Sequence, residues 1–182
     1  METKKKLMES AFRLFADKGT EFSLNEVASE VGIQKASIYA HFLSKEDLLY
    51  AVIEQEINAY FFEINEQCRD LKKIFFMILN YYDKSKTKLY FWKRLLLFPP
   101  KAFEDTLTSK INCLSDQRFE IVKEIIAADI ESGAIRTQDA YTVTISYFAM
   151  IHGLLSGIII YGPEDITKYY EDIWQNFWNG IK

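Results

Sequence analysis

No surplus of positive charge marks this chain. Its 22 Lys and Arg stand against 26 Asp and Glu, a formal net charge of −4. Holding nucleic acid by bulk charge is therefore excluded. Cysteine is scarce too. Cys68 and Cys113 are the only two, and they form no CxxC and no metal-ligand spacing. That excludes a disulfide scaffold and leaves buried or half-buried free thiols, as expected in a reducing cytosol. Seven Gly and three Pro in 182 residues leave room for few tight turns and favour long helices. Strand-like alternation, low-complexity linkers and internal repeats are missing. The charged start, Met1 to Lys6, precedes no apolar run of signal-peptide length. No nucleophile–base pair, paired acids, phosphate loop or metal cluster appears. An enzyme is not expected, and neither is a cofactor.

Hydrophobic residues make up 49% of the chain, enough for a compact globule. The apolar spacing is helical throughout, so the expected class is all-α with about nine helices. Leu7, Ala11, Leu14 and Phe15 line a first helix over 4–18, closed by Gly19. Ser23-Leu24-Asn25-Glu26 is a capping box that opens a second. Gly32 turns the chain into a third over 35–42. Ser44-Lys45-Glu46-Asp47 caps a long fourth helix running to about Arg69. Further helices are expected near 70–82, 86–98, 101–110, 116–132, 138–161 and 163–179. Pro99-Pro100 and Gly162-Pro163 punctuate them. The expected division is a small N-terminal helical domain over 1–47 and a second helical domain over 48–182.

The stretch Val31 to Leu49, VGIQKASIYAHFLSKEDLL, carries the clearest functional signal. Two capped helices flank a short one, the layout of a helix-turn-helix whose middle element enters the major groove. Residues 1–48 hold seven Lys/Arg and eight Asp/Glu, so charge helps only by placement. Lys35 and Lys45 are free of any carboxylate between Val31 and Lys45, and Lys4, Lys5 and Lys6 form a basic arm.

AFRLFADKG (Ala11 to Gly19), SLNEVASEVGI (Ser23 to Ile33) and KASIYAHFLSKEDLL (Lys35 to Leu49) together resemble the DNA-binding domain of the TetR family of bacterial transcriptional regulators. The resemblance is strong over about a quarter of the chain. Beyond it, only ESGAIR (Glu131 to Arg136) and the last helices agree with the family's ending. It implies a cytoplasmic, ligand-responsive homodimeric repressor on a pseudo-palindromic operator. It also implies roles. Lys35 and Ala36 meet base edges or a phosphate, Ser37 and His41 a phosphate, and Tyr39 the backbone or a base. Lys45 sits at a helix N-terminus that favours an anion. Gln34 replaces the family's usual Ser or Thr, so it caps poorly and can turn outward to DNA.

The second half is rich in aromatics and resembles an effector-binding and dimerisation domain. Helix position nominates Phe75, Leu79, Tyr82, Trp92, Leu96, Phe119, Tyr147, Met150, Ile151 and His152 as walls of an effector cavity. His152 is expected either in the packed core or on the ligand. No carboxylate or guanidinium reads as buried, so a small hydrophobic, uncharged or weakly polar effector is expected. Thr142 to Tyr161 carries no Asp, Glu, Lys or Arg over twenty residues. A helix buried between subunits accounts for this better than a membrane span. Gly153, Ser156, Gly157, Ile160, Trp174, Phe177 and Trp178 are the expected dimer contacts.

Overall fold

The computed structural model describes residues 2–63 and 68–182. Among these the secondary structure is helical, in ten α segments. They are α1 (Glu2–Lys18), α2 (Leu24–Val31), α3 (Lys35–Ile38), α4 (Lys45–Glu63), α5 (Leu71–Asp83), α6 (Lys86–Leu97), α7 (Glu104–Glu131), α8 (Ala140–Tyr161), α9 (Pro163–Ile166) and α10 (Tyr170–Ile181). Short 3-10 turns sit at Gly19–Glu21, Lys101–Phe103 and Thr167–Tyr169. The all-α expectation holds.

Four boundaries differ from the sequence reading. The recognition helix is α-helical only over Lys35–Ile38, and the chain turns through Tyr39 to His41. Helix α4 is described to Glu63, and residues 68–70 are not helical. The helices expected at 101–110 and 116–132 are one, α7. Ser115-Asp116 looks like a cap, but no Gly or Pro breaks the chain there, so the backbone bonds run through. The last helix is two segments joined by the turn at Thr167–Tyr169.

Two compact units emerge. The first joins Met1–Glu63 to Ser85–Ile111. Its core contains Leu7, Ala11, Phe15, Phe22, Val27, Ile38, Leu48, Ile53 and Phe91, each within a few per cent of full burial. At roughly 1.5–3 kcal/mol per large apolar side chain, these contacts set the unit's stability. Helix α6 adds buried Phe91, Trp92 and Leu95 to the three N-terminal helices. Phe91 packs against Phe12 at 4.8 Å and Phe15 at 5.2 Å between ring centroids.

Polar bonds fix α2 against α1. Ser23 accepts from Glu26 N, and Glu26 accepts from Ser23 N at 2.8 Å, so the capping box read from sequence is formed. Glu26 also takes the Lys18 ammonium at 2.5 Å. At the far end of α2, Glu30 accepts from the fully buried Ser10 hydroxyl at 2.8 Å and from Arg13 at 3.0 Å.

The end of α1 and the linker to α2 are bound by two further cations. Arg94 of α6 donates from Nε to the Ala16 carbonyl at 3.3 Å and from Nη2 to the Asp17 carbonyl at 2.7 Å. Lys45 donates to the carbonyls of Thr20 at 2.8 Å and Phe22 at 3.2 Å. Gly19 lies between them at φ 63°, a left-handed conformation that suits glycine.

The second unit joins Ile64–Lys84 to Asn112–Lys182. Rings dominate its core. Trp174 packs on Phe75 at 5.5 Å and on Trp178 at 5.9 Å, while Tyr147 meets Phe177 at 5.9 Å. The buried Tyr147 hydroxyl donates to the Leu71 carbonyl at 2.9 Å. Tyr170 donates to Asp83 at 3.1 Å, and partial burial raises the Asp83 pKa. Cys68 is half-buried and Cys113 exposed, and both are free thiols.

The bonds from Lys18 and from Ser23 hold the Glu26 carboxyl down to a pKa of about 2 from 4.5. A depressed carboxylate stabilises the fold above its unfolded pKa, and that support is lost as pH falls from about 4.5 to about 2. Glu26→Gln is therefore expected to lower the first unit's melting temperature at neutral pH. The deficit should shrink through that acid window and vanish below it, as thermal melts at stepped pH would show. A deficit constant with pH would refute it.

Candidate nucleic-acid interface

The interface is built around a tight turn. Helix α2 ends at Gly32, with φ at 75°. The Gly32 amide donates to Ser29 O at 3.3 Å and the Ile33 amide to Ala28 O at 3.0 Å, a Schellman closure. Nothing lies within 4 Å of where a Gly32 Cβ would be, so backbone conformation alone demands glycine there. Gln34 then occupies the N-cap of α3 in an extended conformation with no side-chain cap bond. Its carbonyl accepts from Ser37 N at 2.9 Å.

Two anchors seat this short element. Ile38 is fully buried and Phe42 nearly so. Between and before them, Gln34, Lys35, Ala36, Ser37, Tyr39, Ala40 and His41 are all exposed. The nominated DNA contacts from Gln34 to His41 thus form one solvent-facing strip. Leu43 is the most exposed large apolar side chain, at 85%. The strip can offer one ammonium, one imidazole, two hydroxyls, one amide and two methyls to a groove edge.

Lys45 stands apart. It is half-buried, its ammonium bridges the Thr20 and Phe22 carbonyls, and it lies 5.4 Å over the Phe22 ring. A lysine ammonium carries three donors, so one is left to face outward. Its first task is structural, which the sequence did not indicate. Asp47 completes this corner. Its amide donates to the Ser44 hydroxyl at 3.0 Å, while its carboxylate accepts from Leu43 N at 2.9 Å. The cap expected at Ser44 forms, with its return bond reaching one residue further back.

The amino-terminal lysines are helical, not a free arm. Lys6 pairs with Glu2 at 2.7 Å and Lys5 with Glu9 at 3.8 Å. Lys4 instead lies 5.2 Å over the Phe42 ring, which brings its charge beside the exposed strip. Spacing alone did not single out Lys4, because its ring partner is 38 residues away in the chain.

The expected effector walls divide between the two units. Trp92 and Leu96 belong to the first, the other eight to the second. Leu96 is exposed at 51%, and His152 is exposed, which corrects the expectation of a packed core position for it. The helical register turns His152 away from the buried row Tyr147, Ile151, Leu155 and Ile158. Phe75, Leu79, Tyr82, Tyr147 and Ile151 are buried, and Phe119 and Met150 half-buried. Arg118 is buried as well, which corrects the expectation that no guanidinium would be. Among the described residues an open cleft of about 390 Å³ lies in the first unit, between Lys5, Phe12, Arg13, Glu56 and Ser85.

The expected dimer contacts divide too. Gly153 and Ile160 are exposed, and Ser156, Phe177 and Trp178 half-buried. Trp174 is buried among rings of its own subunit. Gly157 is buried against Ile166 of the same chain, 3.5 Å from the position of a Cβ. Both are corrections, because Ile166 of α9 covers Gly157 and Trp174 of α10 packs into the subunit's own ring core.

An all-helical chain with an exposed, anchored helix-turn-helix strip defines a DNA-binding class of fold. Residues 7–52 match the family model for bacterial regulatory proteins of the tetR family, a similarity confined to the N-terminal part of the chain. An HTH-type transcriptional regulator of Staphylococcus aureus is 36% identical over 61 residues, 33% of each chain. The chain thus matches about a third of that relative's length. Solved structures share the fold further along. The ketosteroid transcriptional regulator KstR2 of Mycobacterium tuberculosis superposes with a TM-score of 0.76 at 18% identity, over 98% of this chain and 94% of its own. AibR, solved with isovaleryl coenzyme A and operator DNA, gives 0.74 at 19% identity, over 98% and 97%.

Removing the Lys45 ammonium abandons two carbonyls at a folded corner. Lys45→Ala is expected to cost about 1–2 kcal/mol of stability, since charge-assisted bonds contribute somewhat more than neutral ones. Denaturant unfolding without DNA would measure this. A change below about 0.3 kcal/mol would contradict the structural role.

Proposed function

We propose that this protein is a homodimeric transcriptional regulator, a repressor that occupies a pseudo-palindromic operator and responds to a small effector. The observation that carries the reading is the exposed strip from Gln34 to His41, held by the buried Ile38 and Phe42. Functionally the DNA-reading part ends near residue 47, in the first turn of α4. In this reading Lys35 and Ala36 reach base edges, while Ser37, Tyr39, His41 and the free donor of Lys45 hold the phosphate backbone. Gln34, uncommitted as a cap, turns toward the DNA. Lys4 adds a cation beside them.

A single one-turn helix reads few bases, so two copies are needed, with half-sites about 34–36 Å apart. The second unit supplies a surface for pairing. Ile145, Ala149, His152, Gly153 and Ile160 lie exposed along α8, with Ser156 half-buried among them. Phe177 and Trp178 of α10 are half-buried. By length and composition α8 could cross a membrane, but 39% of its most apolar window is buried inside the fold. A twofold pairing of α8 accounts for the exposed remainder and fits a cytoplasmic protein.

The effector is a small molecule with a hydrophobic body, as the ring-rich second unit suits. Buried Arg118 removes the reason for expecting it to be uncharged. AibR, which shares the fold, was solved in complex with isovaleryl coenzyme A and operator DNA, and that precedent supports a small-molecule ligand here. The effector acts only through unequal affinity for the DNA-competent and DNA-incompetent states.

Three outcomes are expected. Selection from a randomised duplex pool should yield an inverted repeat, and Lys35→Ala should weaken binding and lower the salt slope by about one phosphate contact. Ile160→Glu should convert a dimer to a monomer in sedimentation and weaken operator binding with it. A wild-type protein that is monomeric and enriches no duplex would sink the proposal.

A further inference from the structure

We propose that Arg94 is a positioning residue for DNA recognition. It fixes the angle of the helix-turn-helix from outside it and touches no nucleic acid. The inference rests on the DNA-binding function proposed above and adds a residue from α6 to its machinery.

Four observations converge on it. Arg94 lies 77 residues along the chain from Asp17, yet its guanidinium reaches two successive carbonyls, Ala16 and Asp17. Those oxygens belong to the last turn of α1, which the helix leaves without partners of its own and where its dipole is negative. A cation there satisfies both demands at once. Two donors in a planar fork fix direction as well as distance, which a lysine could not do. Third, the chain leaves α1 through Gly19, and a Cβ there would stand 3.0 Å from Arg94 Nη1. The left-handed turn at Gly19 thus doubles as the seat of the guanidinium. Fourth, the next residues, Thr20 and Phe22, are held by Lys45 from the start of α4. The segment from Ala16 to Phe22 is pinned from both sides. It sets how α2, and with it α3, leaves α1.

The consequence is a separation of roles. Lys35 and its neighbours contribute contacts, and Arg94 contributes their register. Losing a phosphate contact weakens binding to every sequence and flattens the salt dependence. Losing register weakens the preferred sequence most, because base edges tolerate misplacement less than a diffuse phosphate charge does.

The test compares full-length wild type with Arg94→Met, Arg94→Lys and Gly19→Ala. Binding is measured on the duplex that wild type selects from a random pool and on an unselected duplex of the same length. Circular dichroism first confirms that each variant is folded at the assay temperature. Arg94→Met is expected to lose about ten-fold or more in affinity for the selected duplex. Affinity for the unselected duplex and the salt slope should stay as in wild type. Arg94→Lys, which keeps the charge without the fork, should recover only part of the loss. Gly19→Ala, which leaves every charge in place, should shift selectivity in the same direction. It also keeps the test alive if Arg94→Met does not fold. Wild-type selectivity in folded Arg94→Met overturns the inference and leaves the DNA-binding function standing. An equal loss on both duplexes, with the slope reduced by about one, overturns it in favour of a direct phosphate contact. Enrichment of no duplex by wild type would overturn the function itself, and this inference with it.

Discussion

The carbonyl oxygens between Ala16 and Phe22 are the constraint on which the N-terminal unit depends. A helix ends there, and its terminal C=O groups need partners that the helix cannot supply. The sequence places two cations on them from distant elements, Arg94 and Lys45, and joins Lys18 to Glu26 across the same corner. These bonds decide where α2 stands, and everything downstream inherits that placement. Helix α3 has one turn of its own and no side-chain cap. Such a segment is unstable alone, because nucleation costs more than one turn returns. It exists because Ile38 and Phe42 are buried in a core whose geometry the linker fixes. The exposed strip is thus a product of tertiary packing, and helix propensity contributes little to it.

That division explains what could be read in the chain and what could not. The Ser23–Glu26 box, the turn at Gly32 and the cap at Ser44 are contained within a few residues each, and all three form. The buried face of α1 follows from spacing alone. The exposure of Gln34 to His41 was legible for the same reason, since Ile38 and Phe42 sit on the opposite side of one short helix. Arg94 was not. Nothing near residue 94 marks it off from any other arginine in a helix, and its partners are backbone atoms, which carry no sequence signature. Lys45 was legible as a basic residue in the right register. Its grip on Thr20 and Phe22 was not, because the bonds run back across two helices.

The second unit shows where pattern misleads. Thr142 to Tyr161 has no charged residue, which suggested a face reserved for a partner along its whole length. In the structure the demand is split. Val143, Tyr147, Ile151, Leu155 and Ile158 serve the subunit's own core, and Gly157 gives passage to Ile166. Only the opposite stripe, from Ile145 through Gly153 to Ile160, stays open. Aromatic residues misled similarly. Phe75, Tyr147 and Trp174 pack against one another, so rings nominated for a cavity or an interface are spent on cohesion. Arg118 is the reverse case. A guanidinium in a helix interior is expected at the surface, and only the fold reveals it as buried.

Charge economy ties these points together. With a net charge of −4, the chain cannot lean on general attraction to the phosphate backbone. Two of its three amino-terminal lysines are engaged by acids, and Lys45 spends two donors on its own fold. Few cations remain for DNA, chiefly Lys35 and the ring-seated Lys4. A binder with so few phosphate contacts loses less affinity to salt than a basic one, yet has less affinity to lose. It must gain from geometry what it forgoes in charge, through accurate placement of a small contact set and, in the homodimer proposed above, through repetition of that set by a second copy. A rigid corner between α1 and α2 serves the first requirement and an uncharged stripe on α8 the second. The weaker the general attraction, the more each depends on the other. An error in helix angle is not compensated by a counterion-driven background, and a single half-site is too small to hold.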